Sequence, residues 1–185
     1  MTPRPRTNPA RKRAMDIILA CSEGQPLAHE LLDEMRSAEP LSQADEGLVH
    51  ELSVGTIRHR LTCEHIAAHF YRGRWEGLSV RLRCIIALGV YQLCWLTRVP
   101  DHAAVDETVQ LARTCGSKAA ALANALLRKI ADARGEIVPV AALSHPAPTP
   151  RRHLRIEEHQ ARMFTEDIFP DPARRPLDYL VAATR

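Results

Sequence analysis

From Asn8 to Ile130, apolar residues return every three or four positions, the spacing that places them on one side of a helix. Asn8 followed by Pro9 reads as a helix cap and a first helical residue. The first helix then carries Ala10, Ala14, Ile17, Ile18 and Cys21 on one face and stops at Gly24. Pro26 opens a second helix with Leu27, Leu31, Leu32 and Met35, closed before Pro40. Ser42 caps a long third helix expected to run to about Tyr71, with Leu48, Leu52, Ile57, Leu61 and Ile66 as its stripe. Gly73 and Gly77 bracket a loop. The fourth helix, from about Ser79 to Leu96, is apolar nearly all round and belongs at the centre of a bundle. Asp101, after Pro100, caps a fifth with Val105, Val109 and Ala112 inward. Ser117, after Gly116, caps a sixth with Ala119, Leu122, Ala123, Leu126, Leu127 and Ile130.

Beyond Gly135 the pattern weakens. Residues 137–150 read as a Pro-rich linker. Residues 151–169 suggest one more helix, weakly amphipathic through Leu154, Met163 and Phe164. A short apolar stretch, Leu177 to Ala183, follows Pro170, Pro172 and Pro176. The expected organisation is a flexible basic arm over 1–8, a helical domain over 9–136, the linker, and an extension over 151–185 with one or two short helices.

Composition supports an all-α fold of about six to seven helices. Aromatics are 4% of the chain, and Leu and Ala dominate the apolar residues. Between residues 41 and 138 the only proline is Pro100, and an interior proline costs a helix about 3 kcal/mol. The five cysteines are odd in number, lack a C-x-x-C pair and sit among apolar residues, as reduced core thiols do. The polar, Pro-rich start is not a signal peptide. The longest apolar run, Cys84 to Leu96, is well short of the ~20 residues that span a bilayer. A cytoplasmic protein is expected.

Catalytic patterns are missing. No G-x-G-x-x-G, no G-x-x-x-x-G-K-[ST] and no G-x-S-x-G occurs, so no cofactor is expected. His59, Cys63, His65 and His69 are dense, but at helical spacing they fall on two faces and cannot close on one metal ion. The informative feature is a cluster of cations. Arg4, Arg6, Arg11, Lys12 and Arg13 precede the first acidic residue, and the last three crowd the positive end of a helix dipole. A phosphate chain would relieve that crowding, which points to RNA. Net charge is only +3, and among 25 basic residues only Lys12, Lys118 and Lys129 are lysines. Arginine offers phosphate a bidentate fork, although a GC-rich genome would give the same bias. Arg58, Arg60, Arg72, Arg74, Arg81 and Arg83 border the third and fourth helices and could extend the patch.

The stretch Leu82 to Leu111 contains Leu-Gly-x-Tyr-Gln-Leu, Val-Pro and His-Ala-Ala-Val-Asp-Glu-x-Val in order. With Leu122-Ala-Asn-Ala-Leu-Leu-Arg-Lys-Ile130, Ala44 to Arg58, and Arg11-x-x-Ala14, it resembles the NusB family over residues 9–134. Ala123 departs from the valine usual before the Asn motif. The resemblance implies two three-helix subdomains. It also implies one of two roles. One is a free-standing transcription antitermination factor that binds RNA through its arginine-rich N-terminus with a small ribosomal protein. The other is the NusB-like N-terminal domain of RsmB-type 16S rRNA cytosine-5 methyltransferases, to which the wording is more similar. That enzyme's chemistry lies in a later domain with a Gly-rich loop and Pro-Cys and Thr-Cys motifs. Here Thr114-Cys115 stands alone at a helix end. The expectation is therefore an RNA-binding module of rRNA modification or maturation, not an enzyme on its own; a protein-docking module, using the apolar stretch Leu177 to Ala183 and the Pro-rich linker, is the alternative. Its partners would be ribosomal RNA and either a ribosomal protein or a methyltransferase domain.

Overall fold

The computed structural model describes residues 8–24, 28–38, 40–142 and 150–183. Eight α-helices lie among them: α1 (Pro9–Ser22), α2 (Ala28–Ala38), α3 (Gln43–Arg58), α4 (Arg60–Phe70), α5 (Val80–Trp95), α6 (Asp101–Ala112), α7 (Ser117–Ala133) and α8 (Pro176–Ala183). Three strands, β1 (Arg134–Pro139), β2 (His153–Arg155) and β3 (Gln160–Phe164), form an antiparallel sheet in the order β1-β3-β2.

The hub is α5. Leu82 and every residue from Cys84 to Cys94 are buried, and α1, α3, α4, α6 and α7 all pack on this helix. An all-apolar surface has no face to give water, so the helix is stable only when neighbours surround it. Gly89 permits the closest approach: a Cβ there would lie 2.8–2.9 Å from the Leu127 methyls and 2.9 Å from Thr108 Cγ2. A second, small core of Ala10, Ile17, Leu32 and Val49 joins α1, α2 and α3.

Two of the four expected caps form. The Asn8 side chain accepts from the amides of Ala10 and Arg11, at 2.9 and 3.3 Å. Ser42 Oγ accepts from Asp45 N at 3.1 Å. Ser79 Oγ, not expected as a cap, accepts from Leu82 N at 3.3 Å. Asp101 and Ser117 do not act as caps. They are the first helical residues, preceded by Pro100 and by Gly116 at φ 108°. The Asp101 carboxylate instead pairs with Arg134. Pro26 and Leu27, expected at the start of the second helix, lie outside the described residues.

The long third helix is two. It breaks at His59 (φ −98°, ψ 16°), and α4 begins at once. The apolar stripe read across the break failed at Leu61, which is 63% exposed. The bend is held by His59, whose ring stacks on Trp95 at 4.5 Å and on Tyr91 at 5.9 Å. The helix expected over 151–169 is also corrected. Leu154 and Ile156 are buried and Arg155 between them is exposed, the period of a strand. Residues 137–139 likewise belong to β1 rather than to a linker, and residues 143–149 lie outside the described residues.

The sheet is joined to the bundle through arginines. Arg162, 6% exposed, donates from Nε to Cys94 O at 3.0 Å and from Nη1 to Gly135 O at 3.2 Å. Arg134 donates to Leu93 O. The carbonyls of Leu93 and Cys94 belong to the last turn of α5, where a cation meets the negative end of the helix dipole. Leu154, Ile156, Phe164, Ile168 and Phe169 enter the main core. The stretch from Leu177 forms α8, which rests on α4 and leaves Leu177 and Val181 exposed.

Candidate nucleic-acid interface

The first turn of α1 has little left on its backbone for an anion. Pro9 has no N–H, Asn8 Oδ1 takes those of Ala10 and Arg11, and Lys12 N donates to Asn8 O at 3.0 Å. Recognition here must come from side chains. Glu107 of α6 also reaches this end, accepting from Asn8 N at 3.4 Å.

The cations of α1 have separate fates. Lys12 is exposed. Arg11 is half-buried; its Nε donates to Gln92 Oε1 at 3.2 Å, and among the described residues it has no ion-pair partner. Arg13 is 6% exposed, with Nη1 at 2.9 Å from Glu46 Oε1. That carboxylate also accepts from Leu41 N at 3.2 Å. The expectation that Arg13 meets phosphate is therefore corrected: its guanidinium ties α1 to the start of α3. Its place one position past Lys12 turns it inward, towards the face that holds Ala10, Ala14 and Ile17. Arg4 and Arg6 lie outside the described residues.

Arg81, at the start of α5, joins Lys12 around Asp16. Burial raises the Asp16 carboxyl above its ordinary 3.8, and the charges of Arg81 and Lys12 pull it back. The surface therefore mixes two cations with one carboxylate. Of the other arginines considered, Arg60 is committed to Glu64 at 2.8 Å and to Ser22 Oγ at 2.9 Å. Arg72 lies at the far end of α4.

Gln92 is the residue that sequence reasoning left without a role. It is fully buried. Its Nε2 donates to Leu88 O at 3.2 Å and lies 3.5 Å from Thr108 Oγ1, which fixes the amide and aims Oε1 at Arg11. A polar residue inside an apolar run was the available signal, because a buried amide requires partners. Its neighbours in the motif are structural. Tyr91 donates to Glu51, and a Cβ on Gly55 would collide with the Tyr91 phenol. Burial and the Glu51 carboxylate both push the Tyr91 hydroxyl upward.

The histidines from His59 to His69 have separate surroundings. His59 stacks on aromatics, His65 Nε2 lies 3.0 Å from Ile168 O, and His69 lies 3.6 Å from Glu166. Among the described residues no group of three or more His, Cys, Asp or Glu could hold a metal ion. Thr114 Oγ1 donates to Leu111 O at 2.7 Å, closing a helix end. Among the described residues no helix is long and apolar enough to cross a membrane.

The chain is similar to two kinds of protein. A probable ribosomal RNA small subunit methyltransferase B of Bacillus subtilis is 26% identical over 121 residues, 65% of this chain and 27% of that protein. A ribosomal RNA small subunit methyltransferase B of Thermus thermophilus is 32% identical over 126 residues, 68% of this chain and 31% of that protein. The transcription antitermination protein NusB of Clavibacter sepedonicus is 27% identical over 131 residues, 68% of this chain and 95% of that protein. The chain thus matches about a quarter to a third of the methyltransferases' length. The NusB family model matches residues 8–132, the span from the Asn8 cap to the last turn of α7, and the chain belongs to the NusB family.

Proposed function

We propose that this chain is an RNA-binding helical module of the NusB/RsmB type, acting in the cytoplasm in rRNA modification or maturation and having no catalysis of its own. The observation that carries it is the pairing of Gln92 with Arg11. A buried amide on the central helix steadies one arginine at the base of the basic arm, beside exposed Lys12 and near Arg81. In this reading Arg4, Arg6, Arg11 and Lys12 meet phosphates, Arg81 adds to them, and Arg13 holds the platform. Guanidinium groups bind phosphate bidentately, and such contacts position RNA rather than read its sequence. The two-subdomain arrangement belongs to the same reading, supported by the separate small core among α1, α2 and α3. So does descent from the RsmB-type N-terminal domain, supported by the methyltransferase relatives.

A second reading, the free-standing antitermination factor, is favoured by the match over 95% of the Clavibacter protein. It differs in expecting a ribosomal protein to raise RNA affinity. Binding of a ribosomal RNA fragment, followed by fluorescence anisotropy at several salt concentrations, tests the main proposal. Replacing Arg4, Arg6, Arg11 and Lys12 with glutamine should weaken binding. It should also flatten the salt dependence, the slope of log affinity against log salt falling by roughly 0.7–0.9 for each phosphate no longer neutralised. Unchanged affinity in that variant would overturn the proposal.

A further inference from the structure

The RNA reading assigns nothing to the surface where α4 meets α7. Where α4 ends against α7, a groove of about 180 Å³ opens between Phe70, Tyr71, Leu122, Ala125 and Leu126. Its walls are almost wholly apolar. Arg72 stands on one rim and Lys129 on the other. Both are exposed, and neither has an ion-pair or hydrogen-bond partner among the described residues. On α7 the spacing 118, 122, 125, 129 follows one helical face, so the outward stripe reads Lys118, Leu122, Ala125, Lys129. Two of the chain's three lysines therefore bracket the apolar pair, roughly 16 Å apart at 1.5 Å per residue. Among the described residues no carboxylate lines the groove; Asp132 lies one turn beyond it.

We propose that this groove docks an acidic segment of a partner protein, which inserts one large apolar side chain between carboxylates that meet Arg72 and Lys129. Size argues for a single anchor. Sites for small molecules usually hold about 300–1,000 Å³, whereas an interface anchor needs room for one side chain. Charge complementarity selects acidic flanks and excludes basic ones. The helix that carries the RNA-directed cations, α1, packs chiefly on α3 and α5. One molecule can therefore hold RNA and partner at separate surfaces.

The test uses the full chain, ¹⁵N-labelled, titrated with synthetic peptides and followed by amide shifts. The probes are acetyl-Glu-Asp-Leu-Phe-Asp-Glu-amide, its Ala-Ala counterpart, its Lys-flanked counterpart, and hexauridylate. The acidic Leu-Phe peptide should move the amides of residues 70–72 and 118–129 and saturate. The Ala-Ala and Lys-flanked peptides should bind at least about tenfold more weakly. Lys129→Glu should weaken the first peptide about tenfold, and Ala125→Trp, an exposed position on α7, should fill the groove and abolish the shifts. Either variant keeping wild-type affinity overturns the proposal. So does the absence of saturable shifts, equal binding of the Ala-Ala peptide, or hexauridylate moving the same amides, the last making the groove a nucleic-acid surface.

Discussion

Arg13 and Lys12 are adjacent in the chain and opposite in burial, and their variants should separate accordingly. Arg13→Ala takes the guanidinium away from Glu46, a side chain only 13% exposed. Losing one member of a buried ion pair costs about 3 kcal/mol, visible as a lower urea midpoint. Lys12→Ala should change stability by less than about 0.5 kcal/mol and show itself in RNA affinity alone. Gln92→Leu tests the buried amide: Arg11 loses its anchor, and RNA affinity should fall although no cation has been removed. Gly89→Ala sets two magnitudes against each other. Alanine is worth about 1 kcal/mol over glycine inside a helix. Crowding a packed core costs about 1–3 kcal/mol. Leu127 and Thr108 are fully buried and cannot yield, so a net loss in chemical denaturation is expected. These fates depend on which way a side chain turns and what it meets. The cation cluster was legible as composition; the division between Lys12 and Arg13 required the position of Glu46, thirty-three residues away.

At the scale of elements, the caps of α1 and α3 were readable because a cap is local: side chain and amide lie two or three residues apart. The break at His59 and the strands beyond α7 were not, because their causes are distant. The bend is held by Tyr91 and Trp95, and β3 sits where Arg162 can reach the carbonyl of Cys94. Arg162→Met should therefore loosen the sheet selectively. Hydrogen exchange should quicken at the amides of β1 and β3 while the central amides of α5 stay protected; uniform protection would show that the guanidinium is dispensable. Burial also holds the imidazoles of His65 and His153 below the ordinary 6.5. The unfolded chain then takes up their protons first. Their contribution to stability is complete above that value and shrinks as pH falls through it towards the folded values. His65→Gln should flatten the decline in thermal midpoint between about pH 7.5 and 5.5.

Across the whole molecule, one apolar helix packed by five others carries two separate outward features, the charged surface of Lys12, Arg81 and Asp16 and the groove between α4 and α7. RNA binding that survives Ala125→Trp, and peptide binding that survives loss of the arm's cations, would show the two faces acting independently. The chain alone determined that α5 is central, since no partly solvated position suits a helix without a polar side, and it determined where most helices of the bundle start. It also carried the motif order by which the family is legible. Only the tertiary structure decided which cations remain available, where the third helix bends, and that the tail pairs as strands. Periodicity reports the face a residue belongs to, whereas the availability of a charge or a backbone carbonyl depends on a partner brought near only by folding.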